Sequence, residues 1–119
     1  MNVSEKKVDE LLNIFIKCWS NRSSSKYIID NPARGQCDVT SLVVNDILGG
    51  EILKTNTPEG WHYYNRIENE RYDLTKSQFS IELIYEDIQS SREEAFLHIN
   101  EEQYIYLKAC VNKHIDFVK

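Results

Sequence analysis

Two short runs of aromatic and β-branched residues, separated by a polar turn, constrain the fold of this chain most strongly. Residues 61–67 and 71–74 carry these side chains, and Glu68-Asn69-Glu70 joins the two runs. This pattern is typical of two antiparallel strands connected as a hairpin. Helical patterns before and after the hairpin predict an α+β domain in which helices pack on a small antiparallel sheet.

The register of this hairpin decides which side chains share a face of the sheet. If Glu68-Asn69 is a two-residue loop, Ile67 faces Glu70. Asp73 then becomes the diagonal neighbour of His62 on the same face. A shift of one residue would move Asp73 to the opposite face, so the pairing of these two side chains is a sharp geometric prediction.

Apolar residues recur at helical spacing in two segments before the hairpin. The first helix is predicted to start at Ser4 as its N-cap and to end near Ser20. The second, largely buried, is predicted over residues 36–48, with Gly49-Gly50 as its stop. Between the two helices, a polar stretch and a segment that contains proline and glycine predict a loop, and this loop leads to Cys37.

Further elements are predicted on both sides of the hairpin. Asn100 and Gln103 have the spacing of a capping box, which predicts a terminal helix with a buried apolar stripe. The remaining predictions are a strand over 51–55, a turn over 56–60, an extended piece over 81–84 and a short helix over 91–97.

Length and charge limit the classes of function. A chain of 119 residues has room for one domain, spanning residues 1–119. A net charge of −5 without a Lys/Arg cluster argues against nucleic acid as a partner. No stretch approaches 18 apolar residues, so no membrane association is expected, and a cytoplasmic location is the default expectation.

The three cysteines, Cys18, Cys37 and Cys110, are an odd number without close spacing. This pattern indicates neither a disulfide framework nor a zinc site, and reduced thiols are expected. Cys18 and Cys110 are interpreted as buried packing residues. His98 and His114 are given no chemical role, and no metal or cofactor is predicted.

Cys37 is the candidate nucleophile because it lies at the start of the second predicted helix. Unpaired N–H groups and the helix dipole favour an anion there, so the thiol pKa is expected to fall below its ordinary value. The neighbouring Asp38 opposes this effect. The alternative interpretation is that Cys37 is simply a small buried residue.

His62 and Asp73 are the candidate base and orienting carboxylate of the same site. Taken alone, His62 would more often be a partly exposed strand residue, and Asp73 a strand-end residue bonded to nearby backbone. Four further side chains are candidates for oxyanion or substrate contacts, although loop, surface or core contacts would also explain them. They are Gln36, Gln78, Trp61 and Tyr64.

Several of these segments together resemble the small bacterial YunG-like family. The segments are NPARGQC at 31–37, TSLVV at 40–44, HYYNRI at 62–67 and DLTKSQF at 73–79. More distantly, the order of a cysteine on a helix, a histidine on a strand and an aspartate on the next strand is similar to that of transglutaminase and papain-like cysteine enzymes.

The distant resemblance implies a set of roles. Cys37 would be the nucleophile, His62 the general base and then acid, and Asp73 the orienting group. Papain-like enzymes place an oxyanion-hole glutamine several residues before the cysteine, whereas Gln36 is adjacent to it here. The expected function is a cysteine hydrolase or acyl transferase acting on an amide or ester of a peptide, a protein or a small molecule.

Two other functions fit the same residues. One is a non-catalytic module that binds a peptide or protein on the same scaffold. The other is a redox-sensing thiol at Cys37.

Overall fold

Over residues 3–115, the part of the chain that the computed structural model describes, four helices accompany a four-stranded antiparallel sheet. The strand order in this sheet is β3-β2-β1-β4. The predicted α+β class is therefore confirmed. The helices are α1 Val3–Cys18, α2 Cys37–Leu48, α3 Arg92–Phe96 and α4 Glu101–His114. The strands are β1 Glu51–Thr57, β2 Gly60–Ile67, β3 Glu70–Tyr72 and β4 Ile88–Gln89.

The helices lie where the periodicity predicts them. Helix α2 ends at Leu48, and its C-cap is Gly49, whose positive φ of 74° glycine adopts at low cost. Asn100 and Gln103 form the predicted capping box at the start of α4. The N-cap prediction for Ser4 is wrong, because Ser4 lies inside α1 and is buried there.

The hairpin of β2 and β3 has the predicted register. Glu68 and Asn69 both have positive φ, 51° and 67°, which is the conformation of a two-residue type I′ turn. Ile67 consequently pairs with Glu70. Strand β3 ends at Tyr72, so Asp73 is the first residue beyond the strand and is free to leave the plane of the sheet.

No strand forms over 81–84, where an extended piece is predicted. The fourth strand is β4, which pairs with β1. Residues 81–84 run outside the sheet, and the side chain of Ile84 is 88% exposed. The segment is fixed by polar contacts instead: the Thr55 hydroxyl donates to the Ile84 carbonyl, and the Glu86 carboxylate accepts from the Asn56 N–H.

Two apolar clusters form the core. The larger one joins α1, α2 and α4, and its fully buried members include Leu11, Phe15, Val39, Val43, Leu107 and Val111. The smaller one lies between α2, the sheet and α3, and consists of Cys37, Leu42, Ile52, Tyr63 and Ala95. The start of α2 is therefore held against the middle of β2, which places Cys37 beside the sheet.

The prediction of three reduced cysteines is wrong. Cys18, at the end of α1, forms a disulfide with Cys110 on α4, 92 residues later in the chain. The spacing gives no sign of this pair because it depends on how the two helices pack. Cys37 remains a free thiol. A disulfide is typical of an oxidising compartment, so the cysteines no longer support a cytoplasmic location.

Within residues 3–115, no helix is long and apolar enough to cross a bilayer.

Candidate functional site

Cys37 occupies the first position of α2. The preceding residue, Gln36, is the N-cap, and its side chain makes no capping hydrogen bond to the first turn. The thiol is buried against Tyr63 and Leu42, and the residue is 9% exposed. The sulfur thus lies at a helix N-terminus, but in a largely apolar setting.

The position of the Cys37 thiol at a helix N-terminus does not ionise it. Its Sγ donates to Asp38 Oδ1 at 2.9 Å. Burial raises the pKa of Cys37 well above its ordinary value, and the charge of Asp38 and this hydrogen bond raise it further. The backbone of Tyr63, which donates toward the sulfur, lowers the pKa but does not outweigh these effects. The expectation of a lowered thiol pKa is therefore wrong, because desolvation and Asp38 exceed the helix dipole.

His62 and Asp73 form a buried pair. His62 Nε2 lies 2.7 Å from Asp73 Oδ2, and the two side chains are 1% and 3% exposed. A carboxylate oxygen only accepts, so Nε2 carries the hydrogen in this contact. In the neutral imidazole the lone pair is then on Nδ1. The structure thus brings together the two residues that the hairpin register predicts to be neighbours.

Asp73 is itself held by three further hydrogen bonds. The Tyr85 hydroxyl donates to Oδ2 at 2.8 Å, the oxygen that also accepts from His62. The Thr75 N–H and hydroxyl donate to Oδ1 at 3.2 and 3.3 Å. Because both oxygens are fixed, the carboxylate holds the imidazole in one orientation.

The sulfur lies near the imidazole pair without being hydrogen-bonded to it. Among the contacts of residues 3–115, the Cys37 thiol bonds to Asp38 and approaches the backbone of Tyr63, the residue after His62. The charge of Asp73 raises the pKa of Cys37, and the charge of His62 lowers the pKa of Asp38. These couplings connect Cys37 with Asp73 and Asp38 with His62.

Several side chains of the candidate site carry an unpaired buried polar atom. Within residues 3–115, the buried side-chain polar atoms without a hydrogen-bond partner are Gln36 Oε1, His62 Nδ1, Tyr63 Oη and Gln78 Nε2. An orphaned buried polar atom costs about 1–3 kcal/mol, so each of these four calls for an explanation. Burial raises the pKa of Tyr63 to about 12, so its hydroxyl is a neutral donor.

The two glutamines have different positions. Gln36 Nε2 donates to the Ser20 carbonyl at 3.4 Å, which leaves an oxygen rather than a donor unpaired. Gln78 Oε1 accepts from the Gly35 N–H at 3.2 Å, and its Nε2 is a free donor. Gln78 therefore connects the 3₁₀ turn Lys76–Gln78 to the loop that precedes Cys37, and it is the better oxyanion candidate.

The two aromatic candidates do not line a common groove. Trp61 is 44% exposed, and the Lys54 ammonium lies 4.2 Å from the centre of its ring. Tyr64 is buried, and its hydroxyl donates to Asp87 Oδ1 and accepts from the Asp87 N–H, both at 2.8 Å. Since both hydrogen-bonding positions are used, Tyr64 acts as a core residue that connects β2 to the segment before β4.

Sequence reasoning missed two residues of the site. Tyr85 lies in the irregular segment whose path no periodicity predicts, yet it bonds to Asp73 and lines a groove of about 420 Å³. His98 follows α3, its ring lies 6.3 Å from that of Tyr63, and its charge lowers the pKa of Asp38. Only the tertiary packing of α3 on the sheet brings His98 there, so the sequence carries no signal for it.

Comparisons with known proteins agree on one family. The family model described as "YunG protein" matches residues 7–116. A protein of Bacillus subtilis (strain 168) named "Uncharacterized protein YunG" is 47% identical over 105 residues, which cover 88% of this chain and 91% of that protein. No solved structure matches the chain.

Proposed function

The chain belongs to the YunG family, and we propose that it is a cysteine-dependent hydrolase or acyl transferase acting on an amide or ester. Cys37 is the nucleophile, His62 the general base and then acid, and Asp73 the orienting carboxylate. The observation that carries the proposal is the buried His62–Asp73 pair. Within residues 3–115, the second ring nitrogen of this pair has no partner, and Cys37 is a free, buried thiol.

The raised pKa of Cys37 favours a general-base reaction over a preformed thiolate. The thiol exchanges its acceptor Asp38 for His62 Nδ1, which takes the proton as the sulfur attacks the carbonyl carbon. Asp73 stabilises the imidazolium that forms. The positive charge therefore develops only during the reaction, where the fixed carboxylate lowers the barrier.

Two donors support the tetrahedral oxyanion that the attack creates. The first-turn N–H groups of α2 lack helical partners, and Gln78 Nε2 is unpaired. When the intermediate collapses, the bond between the carbonyl carbon and the leaving group breaks, and His62 returns its proton to that group. Water or an amine then attacks the thioester and releases Cys37 as a thiol.

The scaffold adds a weaker argument. A thiol on a helix N-terminus beside a strand with histidine and a carboxylate just past the next strand has the order of the transglutaminase and papain-like cores. We include that relationship in the proposal, and it rests on the arrangement of these three residues.

A generic acyl donor tests the function without knowledge of the substrate. With p-nitrophenyl acetate, we expect a burst of p-nitrophenol and one acetyl group on Cys37, located by peptide mass spectrometry. His62→Ala is expected to slow acylation by about 10²–10⁴-fold, the usual contribution of a general base. Asp9→Asn, which changes one exposed side chain on α1, is the matched control for a substitution outside the site.

The assignment depends on two outcomes. A folded His62→Ala protein that acylates Cys37 at the wild-type rate would rule out His62 as the base. Acetylation at another residue, unchanged in Cys37→Ala, would rule out the nucleophile. Circular dichroism and a thermal melt of each variant show that the fold is intact.

A second candidate is a module that binds a peptide or protein without catalysis. The hydrogen bond from the thiol to Asp38 and the raised pKa of Cys37 favour it, since they stabilise an unreactive thiol. This candidate predicts no burst and no covalent acetyl group on Cys37 in the native protein.

A further inference from the structure

A second group of sulfur and nitrogen ligands lies where the end of α1 packs on α4. Cys18 ends α1, while Cys110 and His114 lie one turn apart on α4. The two sulfur atoms and a ring nitrogen of His114 all lie within 4.8 Å of one another. The Cα atoms of the two cysteines are 5.8 Å apart, and the sulfurs are joined as a disulfide.

The orientation of His114 is fixed by its own helix. His114 Nδ1 lies 2.9 Å from the Cys110 carbonyl oxygen. A carbonyl only accepts, so Nδ1 carries the hydrogen, and the lone pair of the neutral ring lies on Nε2. A backbone carbonyl that fixes one ring nitrogen while the other binds the metal is the usual second contact of a zinc-bound histidine.

We propose that reduction converts this group into a zinc site with Cys18, Cys110 and His114 as ligands. A dithiol supplies two electrons and two protons, the S–S bond breaks into two thiols, and the dithiol becomes a disulfide. Zn²⁺ then displaces the two thiol protons and binds both thiolates and His114 Nε2. Because His114 is exposed, a water molecule completes the tetrahedron from the solvent side.

The ligand chemistry selects zinc over the harder cations. Two thiolates with one imidazole suit Zn²⁺, whereas Mg²⁺ and Ca²⁺ prefer oxygen ligands. Cys110 and His114 are four residues apart, so they share one face of α4. Cys18 closes the site from α1. The two helices would then be linked in both redox states, by a covalent bond when oxidised and by the metal when reduced.

Cobalt(II) is a direct probe of the site. We expect the protein reduced with a phosphine to bind one equivalent of Co²⁺ and to show thiolate-to-cobalt charge-transfer absorption with the visible bands of tetrahedral cobalt. Zn²⁺ should remove both signals. The oxidised protein should show neither, because its sulfurs are bonded to each other.

Three variants identify the side chains that bind the metal. His114→Ala should weaken Co²⁺ binding by at least tenfold and alter the visible bands, and it is exposed enough to leave the fold intact. Cys110→Ser should remove most of the charge-transfer absorption. Cys37→Ser should leave the spectrum unchanged, because Cys37 is not among the three side chains whose ligand atoms lie within 4.8 Å of one another.

Two results would overturn the proposal: reduced wild-type protein that gives no charge-transfer band with Co²⁺, and His114→Ala protein that binds with unchanged affinity and spectrum. Neither measurement uses acyl transfer, so the site stands or falls independently of the proposed activity.

Discussion

Replacing Asp38 with asparagine should release the thiol of Cys37 from the group that holds its proton. The asparagine side chain keeps the shape and one oxygen acceptor but removes the charge. In the native site the carboxylate lies 2.9 Å from the sulfur and raises the pKa of Cys37 both by its charge and as a hydrogen-bond acceptor. D38N should therefore raise the fraction of thiolate at neutral pH.

The separation of the two groups gives the scale of the effect. Two unit charges 2.9 Å apart repel by about 1.4 kcal/mol even with the dielectric constant of water, which corresponds to about a tenfold change in the thiolate population. Both residues are only 9% exposed, so the effective dielectric constant is lower and tenfold is a lower bound. The rate of alkylation of Cys37 should rise by this factor or more at pH 7.5.

Iodoacetamide measures this rate cleanly. In the unreduced protein Cys18 and Cys110 are blocked, so Cys37 alone is alkylated. The full dependence of the rate on pH is needed, because the high-pH plateau reports access to the sulfur while the midpoint reports its ionisation. For D38N the midpoint should move to lower pH with a similar plateau.

Asp9→Asn, which removes an equal charge from the surface of α1, is the matched control and should leave the midpoint in place. If D38N and the native protein share the same midpoint, Asp38 does not hold the thiol and the electrostatic account is refuted.

Three further changes test other parts of the structure. Asp73→Asn should slow acylation by at least tenfold, and unchanged acylation would contradict the orienting role of Asp73. The same change should lower the free energy of unfolding by about 1–3 kcal/mol in urea denaturation, because a buried charged acceptor of four hydrogen bonds is lost. Gly35→Ala should cost more stability than Gly49→Ala in the same assay: both residues have positive φ, but only at Gly35 would a Cβ collide with neighbouring side chains. Loss of the disulfide in Cys18→Ser or Cys110→Ser should lower the free energy of unfolding by about 4–5 kcal/mol in the chain-entropy account, given the 92-residue separation. Equal thermal melts of the variant and the native protein would exclude this stabilisation.

Local rules predict much of this fold because they act over a few residues. The capping box at Asn100, the stop at Gly49 and the turn at Glu68-Asn69 all depend on side chains close in sequence. The hairpin register followed from that turn, and with it the neighbourhood of His62 and Asp73. A two-residue loop leaves only one alignment, so one local feature fixed a contact between residues 11 positions apart.

The rest depends on tertiary packing that no local pattern contains. Residues 81–84 have strand-like composition, but the polar contacts of Thr55 and Glu86 fix this segment outside the sheet. The disulfide pairs Cys18 with Cys110 because α1 and α4 pack side by side. The shift of the Cys37 pKa was predicted in the wrong direction, because the sequence indicates the helix N-terminus but not the depth of burial.

In the proposed mechanism the two carboxylates of the site act on the two partners of one proton transfer. Asp38 accepts the hydrogen bond of the thiol and favours its neutral form, while Asp73 fixes His62 so that Nδ1 is available to take the proton. In the proposed mechanism the resting site would thus combine an unreactive nucleophile with an oriented base. A substrate that displaces the thiol from Asp38 would complete the site, so the thiol would become reactive only when its target is bound. In this proposal the burial and the Asp38 carboxylate that keep the thiol neutral at a helix N-terminus also keep it unreactive until the substrate binds.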